Sequence, residues 1–120
     1  MMKNTQHGTY EVTQLLAGAK PKTFVIPYDH GWIITFAEVK GKYVGEHEGI
    51  KLFVHFDKYL CMFCASEVSS GVCVARSFKE KYVIEKAKRR IAVNRPGFER
   101  HKNYLLEECG VLNDEEGAKQ

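Results

Sequence analysis

The sequence predicts an α+β fold: an antiparallel sheet of about four to five strands, with a short N-terminal helix and two C-terminal helices packed on one face. Three observations carry that expectation. Short runs rich in β-branched and aromatic residues (TFVI, WIITFAEV, IKLFVHF, VCVAR) fill the middle of the chain. Glycine, proline, aspartate and serine separate these runs at hairpin distances. Beyond Ser77 the apolar spacing becomes helical, with Val83, Ile84, Ala87 and Ile91 on one stripe.

Each element has its own signals. Thr9 can cap a short helix through Ala17, ended by Gly18 and Pro21. TFVI is a short strand stopped by Pro27 and the turn-like YDHG. Trp32–Val39 is a second strand, and Lys40-Gly-Lys42 reads as the hairpin turn after it. Gly41, Gly45 and Gly49 then suggest a short irregular edge. IKLFVHF is a good strand, and the chain from Tyr59 to Val68 reads as extended. Ser69–Gly71 turns it into VCVAR, with Gly71 supplying positive φ. Ser77-Phe-Lys-Glu80 has the form of a capping box for a helix from Phe78 to Val93. Asn94–Pro96 starts a second helix with Phe98, Leu105, Leu106 and Cys109 on its apolar stripe, ended by Gly110.

The 120 residues suit one domain, expected over 1–112, with the polar residues 113–120 as a disordered acidic tail. At 44% hydrophobic and 28% charged, the chain can build a core without disulfides. No apolar run approaches the roughly 20 residues that cross a bilayer. MMKNTQHGTYEVTQ lacks the apolar centre of a secretory signal. A cytoplasmic protein with reduced thiols and no membrane partner is expected.

Charge is segregated. Residues 1–75 hold seven basic and seven acidic side chains. Residues 76–102 hold ten basic against three acidic, and residues 103–120 hold one against five. A block of this kind can be the electrostatic footprint of an anionic partner. Lys79, Lys86, Lys88, Arg89, Arg90 and Arg95 are the residues expected to make it. At 100° per residue Lys79, Lys86 and Arg90 fall together with Arg89 beside them. The bland alternative is a solvated helix face whose long cationic side chains cover its apolar edges. The stretch ARSFKEKYVIEKAKRRI loosely resembles the strand-to-helix passage of double-stranded-RNA-binding domains. FKEK departs from their run of adjacent lysines and alanines, so no RNA-binding residue is carried over.

Cys61, Cys64 and Cys73 lie within one short stretch. With a fourth ligand they would hold zinc, the only cofactor expected under this alternative; His55 is the choice tested, and His47, His30, His101 and Cys109 are the other candidates. Against it, strand alternation sends Cys61 and Cys64 to opposite faces, and no turn-forming residue lies between them. Structural thiols are the simpler reading. His30 beside Asp29, and His47 within GEHEG, are candidates for a small His-centred enzyme. Phosphate-binding, zinc-protease and nucleophile-elbow motifs are absent. The leading expectation is a small, non-enzymatic binding or accessory protein. Its partner is an acidic protein surface or a nucleic acid, held by the basic helical region. Its size suits an inhibitor of the kind encoded by phages and mobile elements.

Overall fold

A computed structural model describes residues 21–114. The expected N-terminal helix at 9–17 lies outside the described residues, as does the tail beyond residue 114. The described chain is an α+β unit with five strands followed by one helix: β1 (Lys22–Asp29), β2 (Ile34–His47), β3 (Ile50–Asp57), β4 (Met62–Glu67), β5 (Cys73–Ser77) and α1 (Glu80–Cys109). The strands pair antiparallel in sequence order, so every connection within the sheet is a hairpin.

The sheet is curled. β1 hydrogen-bonds only to β2 in the ladder, yet its backbone passes directly over the β4–β5 turn. A Cβ added to Gly71 would lie 2.8 Å from both the Val25 carbonyl oxygen and the Pro27 ring. With φ +74, only glycine fits both the conformation and the space. Asn113 fastens this closure. Its Oδ1 accepts from the Val25 N–H at 2.7 Å, and its Nδ2 donates to the carbonyls of Val25 (3.0 Å) and Val68 (2.7 Å). A side-chain amide thus does for the outer edge of β1 what another strand would do. The residue placed by its composition at the head of a tail is 1% exposed.

Alternation divides the strands between two layers. Ile50, Leu52 and Val54 of β3, with Phe63 and Ala65 of β4, face α1 and meet Val83, Ala87 and Ile91. Burying each of the Val, Leu, Ile and Phe side chains in this layer stabilises by roughly 1.5–3 kcal/mol. The opposite, concave layer holds Phe24, Ile26, Phe53 and Val68, with the rings of Phe24 and Phe53 stacked 3.9 Å apart.

Several local expectations are corrected. Lys40-Gly-Lys42 is not a turn; β2 runs through it for 14 residues, between β1 and β3 rather than at an edge. Gly41 is needed for space, because an added Cβ would come within 2.8 Å of the Val54 carbonyl oxygen and within 3.3 Å of the Phe24 ring. The real β2–β3 turn is Glu48–Gly49, both at positive φ. Pro27 does not end β1, since an edge strand tolerates a missing N–H. The stretch after Tyr59 turns before it extends: Asp57 Oδ1 accepts from the N–H groups of Tyr59 and Leu60, and β4 begins only at Met62.

The two expected C-terminal helices are one 30-residue element with a kink at Asn94, where φ is −139° and ψ 54°. Asn94 Oδ1 accepts from the Gly97 N–H at 3.3 Å, so the segment after the kink keeps a cap of its own, with Pro96 in its first turn. The capping box does not form. Lys79 stays extended, Ser77 Oγ accepts from the Lys79 N–H instead, and the helix starts at Glu80, whose side chain is buried.

Candidate functional site

The kink positions a groove. Before Asn94, α1 lies on the convex layer through Val83, Ala87 and Ile91. After it, Leu105 is buried and, with His101, lines the interior of the curl opposite Tyr28. Between the bent helix and β5 runs an open groove of about 640 Å³. One wall is β5 with the residue before it: Val72, Cys73 and Val74. The other is a single helical stripe of Lys86, Arg89, Arg90, Val93, Asn94, Gly97, Phe98 and His101, spaced three and four apart. No acidic side chain lines it.

The six expected cationic residues therefore separate into two sets. Lys86, Arg89 and Arg90 share the groove. Lys86 is held in place by donating from Nζ to the Arg76 carbonyl at 2.8 Å. The other three lie outside it. Lys79 sits at the helix start, and Lys88 approaches Glu85 at 3.9 Å. Arg95 is occupied by Glu99 at 3.3 Å and by the Glu48 carbonyl at 3.0 Å. Arg95 is a brace between helix and β2–β3 turn rather than a free cation.

A second cavity, of about 230 Å³, lies inside the curl behind the groove wall. Its polar lining is Tyr28, Asp29, His55, Asp57, Cys64, Ser66, Cys73, Arg76 and His101. A β-bulge creates this set. Ala65 pairs with Ala75 but Ser66 pairs with Cys73, so Val74 is an extra residue on β5. Plain alternation would send Cys73 and Arg76 to opposite faces; the bulge returns Cys73 to the face that Arg76 shares with Cys64. Cys73 and His101 line both cavities and stand at the wall between them.

His55 is 2% exposed. Its Nε2 lies 3.3 Å from Ser66 Oγ, and its Nδ1 has no partner in hydrogen-bond geometry. Burial pushes the imidazole down to about 4, against the opposing pull of the Asp57 carboxylate. The ring is therefore neutral at pH 7. Burial, and then the Asp57 charge, raise the Tyr28 hydroxyl. The neighbouring Cys73 thiol, and then burial, raise the Cys64 thiol, while Cys64 lowers Cys73; the Cys73 Sγ itself donates to the Ala75 carbonyl at 3.5 Å. Arg76 and Arg90 also favour the Cys73 thiolate, while burial opposes it.

The proposed zinc set is only partly assembled. Cys64, Cys73 and His55 line the inner cavity, but Cys61 is exposed in the β3–β4 turn at φ +55, with its Sγ 3.6 Å from the Lys58 carbonyl. Cys61 and Cys64 do diverge, though because Cys61 precedes the strand rather than belonging to it. Among the described residues, no group of three or more His, Cys, Asp or Glu side chains is arranged to hold a metal ion. Of the candidate histidines, His30 is exposed and bonded to Thr35 Oγ1, and His47 is half-buried at the end of β2. His55 lines the inner cavity, and His101 lines both the groove and the inner cavity.

Sequence reasoning missed Arg76 and the juxtaposition of Cys73 with Cys64; His101 entered only as one of several possible fourth ligands to the cysteines. The bulge and the kink that unite them depend on long-range packing. Among the described residues no helix is long and apolar enough to cross a membrane. No protein-family model, curated protein or solved structure matches the chain.

Proposed function

We propose that the chain is a non-enzymatic binding module that holds an acidic segment of a partner protein in the groove between β5 and α1. The supporting observation is the groove's lining: Lys86, Arg89 and Arg90 on one helical stripe, apolar Val72, Val74, Val93 and Phe98 beside them, and no carboxylate. Cations grouped over little more than one helical turn suit a few carboxylates on a short segment. The apolar residues among them suit its uncharged side chains. A nucleic acid would draw on cations spread along its backbone.

The reading is tested by fluorescence anisotropy with a labelled peptide of alternating glutamate and leucine. Its glutamine counterpart, a single-stranded DNA and an RNA duplex serve as comparisons. The acidic peptide is expected to bind, to weaken as salt rises, and to be lost with Lys86→Glu/Arg89→Glu/Arg90→Glu. The pair Lys79→Glu/Lys88→Glu, outside the groove, is expected to leave binding within about twofold. Equal binding by the groove variant would remove the site. Preference for DNA or RNA would replace the protein partner with a nucleic acid.

A further inference from the structure

We propose that Cys73 and Cys64 are a peroxide-reactive thiol pair that closes a disulfide across β4 and β5, with Cys73 the attacking sulfur and Cys64 the resolving one. The inference is independent of what the groove binds.

Geometry assigns the two roles. The strands are neighbours, and the bulge at Val74 puts both thiols on the concave face, where both line the inner cavity. Cys64 is 2% exposed and lines only the inner cavity of the two. Cys73 also lines the open groove, so a small oxidant reaches it first. Two guanidinium groups act on Cys73, Arg76 from its own strand and Arg90 from the helix. Such surroundings favour thiolate, the nucleophilic form. Other groups around the pair have different roles: Asp57 disfavours ionisation of Cys64, and His55 is neutral. Cys61 and Cys109 provide an internal contrast. Cys61 is exposed, but in a turn away from the pair, and burial with the charge of Glu108 raises the Cys109 thiol.

The chemistry balances with hydrogen peroxide as the oxidant. Cys73 thiolate attacks one peroxide oxygen; the O–O bond breaks, a sulfenic acid forms, and hydroxide leaves to become water. The Cys64 sulfur then attacks the sulfenic sulfur. The S–S bond forms, the S–O bond breaks, and the departing hydroxide takes the Cys64 proton as a second water. Two electrons pass from the thiol pair to one peroxide.

The test uses the full chain, treated with limiting peroxide at neutral pH, alkylated, and digested without reduction. The expected product is a peptide joining Cys64 to Cys73, with Cys61 and Cys109 alkylated and the intact mass lowered by two hydrogens. In Cys64→Ser, a dimedone adduct on Cys73 is expected in place of the link. The surface-side variant Cys61→Ser/Cys109→Ser is expected to oxidise as the native chain does, which keeps the test open should Cys64→Ser not fold. Oxidation of Cys61 or Cys109 ahead of Cys73, any other pairing, or unlinked Cys64 and Cys73 after full peroxide consumption would overturn the proposal.

Discussion

The two faces of β3 and β4 use alternate residues of the same strands for different ends. Toward α1 they present Ile50, Leu52, Val54, Phe63 and Ala65, an apolar layer sealed by Val83, Ala87 and Ile91. Toward the inside of the curl they present Phe53 and then His55, Asp57, Cys64 and Ser66, buried polar and thiol groups around a cavity. The first face concentrates stability. The second holds groups whose charge state responds to pH and whose sulfur responds to oxidant. The contrast teaches that the helix-covered face carries the fold, and the open end of the curl carries the chemistry.

The largest expected effect lies on the sealed face. Leu52→Ala removes a side chain that is 2% exposed and should lower unfolding free energy by about 3 kcal/mol, read by urea denaturation. A loss below about 1 kcal/mol would mean that this face is not the principal core.

Next is acid. Folding keeps His55 unprotonated down to pH about 4, whereas an unfolded histidine takes its proton near 6.5. The unfolded state therefore binds more protons between those values, and stability falls as pH drops through that window. The full loss is about 3 kcal/mol, and none of it appears above the unfolded value. Melting curves from pH 7.5 to 4 should show the decline in the native chain and a flatter profile in His55→Gln. Parallel profiles would place the acid response elsewhere.

Asn113→Ala should cost about 2 kcal/mol, because it strands the Val25 N–H and two carbonyls at the closure. Amide exchange should quicken at Val25 more than at Leu52. Uniform quickening would show that the closure and the sealed face open together. Smallest is the groove: Arg89→Glu/Arg90→Glu changes exposed side chains and should move stability by no more than about 0.5 kcal/mol while removing peptide binding.

What was legible in the sequence follows the same division. The sealed face was readable because it obeys simple periods: IKLFVHF alternates, and Val83, Ala87 and Ile91 repeat every fourth residue. The cationic stripe Lys86, Arg89 and Arg90 was readable for the same reason. The curl was not. Gly41 imitates a turn residue but is small because the Phe24–Phe53 stack and β3 crowd it. Asn113 resembles tail composition, and its partners lie 45 and 88 residues away. Cys73 reaches the face of Cys64 only because Val74 is an extra residue, which no alternation rule announces. Ser77 and Glu80 matched a capping pattern, but Lys79 stays extended and Glu80 turns inward.

The central claim is that the anionic partner sits between β5 and α1. It is tested most directly by titrating the glutamate–leucine peptide into isotopically labelled protein and following backbone amide shifts. The account predicts salt-sensitive shifts confined to Val72–Val74 and to the helix from Lys86 to His101. Shifts centred instead on the exposed Trp32, Phe36 and Tyr104 at the far end of β1 and β2, with the groove residues unmoved, would contradict it.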